Sequence, residues 1–124
     1  MPRIVHFDMP ADDPERAAKF YKEVFDWKID KWNGPMDYWM ATTGPDDQPG
    51  INGGIAKRDP DCEGHGISNT IGVPSVDDYA AKVQAGGGKV LMPKMAIPGV
   101  GFFAQCEDTE GNKFGIIEMD EAAK

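Results

Sequence analysis

The first strand-like segment of the chain contains the pair of side chains best suited to acid–base chemistry. His6 and Asp8 lie two residues apart in the stretch Arg3 to Met9, and alternate residues of a β-strand share one face. An imidazole beside a carboxylate makes a general acid–base pair whose pKa can be tuned close to neutrality. We therefore take both as catalytic candidates. The alternatives are a hydrogen-bonded strand histidine and a carboxylate bonded to turn amides.

The other reactive side chains are weaker catalytic candidates. Cys106 has no nearby base in the sequence, so we interpret it as a small buried apolar residue. Cys62 and Cys106 have no CxxC spacing, which favours a reduced setting, with a disulfide between them as the alternative. His65 lies in a Gly-rich linker, and we interpret it as a solvated loop residue that could still flank a site.

The composition excludes several classes of partner. The chain has 124 residues and a formal net charge of −8, so its surface should repel nucleic acid and anionic lipids. No apolar run approaches the roughly 20 residues that a membrane span requires, and the N-terminus shows no signal-peptide pattern. We expect one soluble, cytoplasmic domain over residues 1–124, with no nucleic-acid or membrane partner.

Two helices and eight strands must position these side chains. Asp12 or Asp13 can cap a helix over 13–25, in which Pro14 suits the first position and an apolar stripe faces a sheet. A second helix begins at Ser75 and ends before three consecutive glycines. Strands are predicted at 3–9, 27–32, 38–43, 53–57, 67–73, 89–96, 101–107 and 113–119.

The element order is β-α-β-β-β, repeated once. Placing His6 on Ser68, an offset of 62 residues, aligns the two strands that precede the helices. Gly54 then matches Gly115 at an offset of 61 residues. The sequence thus predicts two similar modules, one over about residues 1–60 and the other over about 66–120.

Three segments carry a resemblance to a known family. They read IVHFDMPADDPERAAKFYKEVFDWKI, VPSVDDYAAKVQAGGGKVLMP and FFAQCEDTEGNKFGIIE, and they resemble the three signatures of the vicinal-oxygen-chelate superfamily of glyoxalases, bleomycin-resistance proteins and extradiol dioxygenases. The resemblance covers the whole chain. It implies an α+β fold in which two tandem βαβββ modules form an incomplete barrel around a cleft, and it implies a homodimer.

In the metal-using members of this superfamily, four strands each supply one His or Glu ligand. Carried over one at a time, the four positions fall on His6, Gly54, Ser68 and Gly115. Glycine has no side chain, and a serine hydroxyl is a poor ligand for a divalent ion. We therefore expect no cofactor. The alternative is a divalent Zn, Ni, Mn or Fe ion in a shifted site made of His6, Asp8 and Glu118.

The expected cleft defines the candidate ligand-binding residues. On the first strand, Val5, Phe7 and Met9 should pack under the helix, which turns His6 and Asp8 towards the cleft. The two glycines at ligand positions are expected to enlarge its floor. The full set of ligand-binding candidates is His6, Asp8, Trp39, Gly54, Ser68, Thr70, Phe103 and Gly115.

The resemblance implies two functions of different class. The first is a protein that binds a small organic metabolite or toxic compound in the cleft without the family's metal, as the bleomycin-resistance branch does. The alternative is an enzyme, either a glyoxalase-like lyase related to lactoylglutathione lyase or an isomerase or epimerase. In that case His6 and Asp8 act as acid and base.

Overall fold

The computed structural model describes residues 1–34, 36–58 and 66–124. The chain is α+β, with the order β-α-β-β-β occurring twice. The elements are β1 (Arg3–Ala11), α1 (Pro14–Phe25), β2 (Lys28–Lys31), β3 (Tyr38–Thr42), β4 (Asn52–Lys57), β5 (Ser68–Gly72), α2 (Val76–Ala85), β6 (Lys89–Ile97), β7 (Gly101–Glu107) and β8 (Lys113–Met119). Every predicted helix and strand is confirmed. Neither helix in these described ranges is long and apolar enough to cross a membrane.

The ends of helix α1 follow from local side-chain chemistry. Of the two aspartates expected to cap it, Asp13 does so, because its carboxylate accepts a hydrogen bond from the backbone N–H of Arg16 at 3.1 Å. Pro14 takes the first helical position, where no N–H is needed. The helix ends at Asp26, which adopts the left-handed conformation with φ 60°. These ends fix where β1 stops and β2 begins.

The apolar stripe of α1 only partly faces the sheet, which corrects the sequence prediction. Ala18 is buried and Tyr21 packs against the core. Phe20, Val24 and Phe25 are 53%, 54% and 57% exposed. The sheet side of α1 is therefore narrower than the sequence stripe, because Ala18 and Tyr21 pack against the core while Phe20, Val24 and Phe25 remain exposed.

Residues 6–67 form one compact unit. Its strand order is β2-β3-β4-β1, in which β1 and β4 run parallel and the other neighbours run antiparallel. The buried core consists of Met9, Ala18, Ile29, Ala41 and Ile55, with Phe7 packed against it. As predicted, Phe7 and Met9 thus pack on the helix side, which leaves His6 and Asp8 on the opposite face of β1.

Residues 1–5 and 68–124 form the other compact unit. Its strand order is β5-β8-β7-β6, with β5 and β8 parallel. Val73, Val76, Ala104, Cys106 and Ile116 make its buried core. Val5 belongs to this unit and is exposed, so the prediction that it packs under α1 is wrong.

Candidate functional site

Strand pairing brings His6 and Asp8 next to a third polar side chain, Tyr38. In the parallel pair β1–β4, Asp8 lies opposite Gly54, and in the antiparallel pair β3–β4 Gly54 lies opposite Met40. Tyr38 is two residues before Met40, so its side chain is on the same face as those of His6 and Asp8. Because Gly54 has no side chain, nothing separates Tyr38 from β1.

The three side chains form a connected hydrogen-bond cluster. The Tyr38 hydroxyl donates to Oδ1 of Asp8 at 2.5 Å, and Nε2 of His6 lies 2.7 Å from the Tyr38 oxygen. His6 Nε2 is also 3.5 Å from Asp8 Oδ1. The side chains of His6 and Asp8 are 33% and 35% exposed, so a ligand can reach both. The two candidate residues are therefore neighbours joined through a tyrosine, and their acid–base role stays a prediction.

Tyr38 is held as a neutral hydroxyl. Its burial raises the pKa of the phenol far above the ordinary value, and the neighbouring charge of Asp8 and the hydrogen bond to that carboxylate raise the pKa further. The Trp32 ring packs edge-on against the Tyr38 ring, with 6.2 Å between centroids. The phenol thus stays protonated and fixed in place between the two titratable groups.

Gly54 and Gly115, the two glycines at metal-ligand positions of the family, do not open space. This corrects the expectation that they enlarge the floor of the cleft. A Cβ at Gly54 would overlap the phenol of Tyr38. A Cβ at Gly115 would overlap the ring of Phe103 and come within 3.0 Å of Thr70 Oγ1. In each unit an aromatic ring from the neighbouring strand has filled the volume that the missing side chain leaves.

Trp39 does not share a face with His6 and Asp8. It pairs with Ile55, which pairs in turn with Met9, and all three lie on the helix side of the sheet. There Trp39 borders an open hollow of about 520 Å³ between α1 and strands β2 and β3, and the Lys31 ammonium lies 5.4 Å from its ring centroid. On β3 it is Tyr38, and not Trp39, that lies on the face of His6 and Asp8, and the role of Trp39 in ligand binding stays a prediction.

The candidates in the other unit lie on one face of β5, β7 and β8. Thr70 is opposite Gly115 in the parallel pair β5–β8, and the Phe103 ring lies beside Gly115. Thr70 is almost fully buried, and Ser68 is half-buried at the start of β5. The counterparts of Asp8, Gly54, Tyr38 and His6 in this unit are, in that order, Thr70, Gly115, Phe103 and Ser68. Their roles in ligand binding stay predictions.

The residues at the four family metal positions do not fit a divalent ion. Only His6 offers a ligand atom of the required type, and rings occupy the space beside Gly54 and Gly115. Among residues 1–34, 36–58 and 66–124, no group of three or more His, Cys, Asp or Glu side chains could hold a metal. Glu118 is committed elsewhere, because its Oε1 accepts the Val76 N–H at 3.0 Å.

The remaining reactive residues have no part in this cluster. Cys106 is fully buried in the second core, and burial raises the pKa of its thiol, so its interpretation as a buried apolar residue is confirmed. Cys62 and His65 lie outside the described residues.

The comparisons with known proteins agree with this architecture. Residues 3–116 match the model of the Glyoxalase/Bleomycin resistance protein/Dioxygenase superfamily. A "Glyoxylase-like domain-containing protein" of Didymella fabae is 35% identical over 121 residues, which is 92% of this chain and 91% of that protein.

Solved structures show the same fold at low sequence identity. A hypothetical protein from Bacillus halodurans C-125 has a TM-score of 0.73 at 14% identity, covering 99% of this chain and 98% of its own. A methylmalonyl-CoA epimerase in complex with methylmalonyl-CoA and NH4+ has a TM-score of 0.72 at 15% identity, covering 100% and 99%. The methylmalonyl-CoA epimerase of Mycobacterium tuberculosis has a TM-score of 0.72 at 11% identity, covering 94% and 87%. The chain belongs to the glyoxalase/bleomycin resistance protein/dioxygenase superfamily.

Proposed function

We propose that this protein binds a small organic molecule against the strand face of His6, Asp8 and Tyr38, and transfers a proton within it as an isomerase. The hydrogen-bonded, partly exposed cluster of these three residues carries the proposal. A carboxylate and an imidazole held together at an accessible surface are the groups that proton abstraction next to a carbonyl requires. The ligand class is therefore a small carbonyl compound with an acidic C–H bond.

The proposed reaction uses no divalent ion. Metal-dependent chemistry on this fold would need four convergent ligands, and two of the four positions are glycines against which aromatic rings pack. The negative charge that develops on the carbonyl oxygen would instead be met by hydrogen-bond donors of the protein. His6 and Asp8 replace the metal centre as the chemically active groups of the fold.

The comparisons support an isomerase more than a lyase. Two of the three solved structures described above are methylmalonyl-CoA epimerases, and one of them holds the thioester methylmalonyl-CoA. The sequence identity of 15% supports no transfer of that substrate. The likeness supports the narrower point that this fold accommodates a carbonyl ligand and an isomerisation.

A two-step experiment tests the proposal. A thermal-shift panel of small ketones, aldehydes, 2-keto acids and thioesters identifies the compound class that raises the melting temperature. The compounds that bind are then incubated with the protein in D2O, and NMR follows the exchange of their acidic hydrogens. We expect exchange with the wild type, its loss in His6→Gln, and its retention in Asp46→Asn, an exposed turn residue. Binding without exchange would leave a sequestering protein and refute the isomerase.

Metal independence has its own test. Calorimetric titration of the protein with nickel, zinc and manganese should show no tight binding, and chelation should leave the proton exchange unchanged. Tight binding that disappears in His6→Ala would contradict this part of the proposal.

We further propose a cytoplasmic homodimer, on the basis of the family resemblance and the cysteine usage. Sedimentation should show a dimer at micromolar concentration, and a monomer alone would count against it.

A further inference from the structure

The direction of the hydrogen bonds in the cluster is fixed by proton counting. A phenol has one proton, and the Tyr38 hydroxyl gives it to Oδ1 of Asp8. The Tyr38 oxygen can then only accept from its other neighbour, so the proton of the 2.7 Å contact must sit on Nε2 of His6. The hydrogen bonds therefore run from His6 through Tyr38 to Asp8.

We infer that Tyr38 is a positioning residue that passes the charge of Asp8 to His6, holds the imidazole as the Nε2–H tautomer and so makes Nδ1 the proton-accepting atom. This inference rests on the proposed function. Neutral imidazole has one protonated and one free nitrogen. Among the described residues of the chain, none forms a hydrogen bond with Nδ1 of His6. Since the His6 side chain is 33% exposed, the inference assigns this lone pair as the one that a ligand meets.

The second unit shows that the hydroxyl is not needed for packing. Phe103 occupies the place of a Gly115 side chain as Tyr38 occupies that of Gly54. Gly54 pairs with Met40, and Tyr38 lies two residues before Met40. In the same way, Gly115 pairs with Gln105, and Phe103 lies two residues before Gln105. A phenylalanine therefore fills this space without a hydroxyl. The oxygen of Tyr38 serves its two hydrogen-bond partners.

The proton transfer balances without a co-reactant. Nδ1 of His6 takes the proton of the ligand's C–H bond, and the electron pair of that bond passes into the adjacent carbonyl as an enolate. The imidazolium so formed keeps its Nε2–H bond to Tyr38 and is stabilised by the Asp8 carboxylate, 3.5 Å away. Return of the proton from Nδ1 to a different position of the enolate gives the isomer. Nothing is oxidised or reduced.

The tautomer of His6 can be measured without any ligand. In ¹⁵N-labelled protein, two-bond ¹H–¹⁵N correlations distinguish the protonated ring nitrogen from the free one, which resonates far downfield. The chain has two histidines, and His6→Gln assigns the signals. At a pH where the ring is neutral, we expect the downfield nitrogen of His6 to be Nδ1. A wild-type spectrum with Nε2 downfield would overturn the inference without touching the ligand screen.

Two variants test whether Asp8 and Tyr38 set this tautomer. In Asp8→Ala the phenol loses its acceptor and turns its proton to Nε2, so the downfield signal should move from Nδ1 to Nε2. In Asp8→Ala combined with Tyr38→Phe no hydroxyl can donate, so the signal should return to Nδ1. An Asp8→Ala protein that keeps Nδ1 downfield would show that the tautomer is independent of the relay. The wild-type measurement stands if either variant fails to fold.

Discussion

The phenol of Tyr38 occupies the space that a side chain at Gly54 would need. This relationship links the fold to the candidate site. The glycine allows the ring of β3 to lie across β4 and reach Asp8 on β1, where its hydroxyl donates a 2.5 Å hydrogen bond. A His or Glu at Gly54 would displace the phenol. The tyrosine-centred cluster and a metal ligand at this position therefore exclude each other.

Gly54→Ala should destabilise the protein and disrupt the cluster. The added Cβ overlaps the phenol of Tyr38, and overpacking of this kind costs about 1 to 3 kcal/mol. Urea denaturation gives the change in the free energy of unfolding. Gly44→Ala is the matched control, because a Cβ there would meet only Gln48 Oε1, at 3.7 Å.

Gly54→Ala should cost less stability in a protein that lacks the Tyr38 ring. In a Tyr38→Ala background, Gly54→Ala has no phenol to displace, so a double-mutant cycle should give a favourable coupling of about 1 kcal/mol or more. An equal cost in both backgrounds would show that the ring does not occupy this space.

Gly115→Ala makes the corresponding prediction for the second unit. Its Cβ would overlap the ring of Phe103 and lie 3.0 Å from Thr70 Oγ1. We expect a loss of stability of about 1 to 3 kcal/mol, measured by the same denaturation. Phe103→Leu should reduce this loss because a smaller side chain can move away. An unchanged loss would show that the added Cβ conflicts with Thr70 Oγ1 and not with the Phe103 ring.

The sequence predicted the helices and strands, but it did not single out Tyr38 as a neighbour of His6 and Asp8. Helix caps such as Asp13 and Ser75 and the alternation of Phe7 and Met9 are local signals, and they identified the elements and the face that carries His6 and Asp8. Tyr38 was missed because Tyr38, Trp39 and Met40 are all apolar or aromatic, so alternation could not show which of them turns away from α1. Only the register with β4 decides that.

The raised pKa of Tyr38 predicts a loss of stability at alkaline pH. The folded state favours the protonated phenol, so its contribution is fully present below the ordinary pKa of 10.0. It is lost as the pH rises further, because the unfolded chain then releases a proton that the folded chain retains. Above about pH 10, the free energy of unfolding of the wild type should fall more steeply with rising pH than that of Tyr38→Phe.

Absorbance of tyrosinate provides the control for that titration. The alkaline titrations of the wild type and of Tyr38→Phe differ by the absorbance of the Tyr38 phenolate. This difference should appear only when the wild type unfolds. A normal titration of this tyrosine in the folded protein would contradict the burial and the bond to Asp8 that raise its pKa.

Glu118 should act as a cap of helix α2 and have no role in metal binding. Its Oε1 accepts the N–H of Val76, the first residue of the helix, at 3.0 Å, and that N–H has no partner within the helix. Glu118→Ala leaves the donor unsatisfied and should cost about 1 to 3 kcal/mol, whereas Glu118→Gln keeps an acceptor oxygen and should cost less. Hydrogen exchange at the Val76 amide should accelerate in Glu118→Ala alone. Unchanged exchange and stability would free Glu118 for another role, and the shifted metal site would have to be reconsidered.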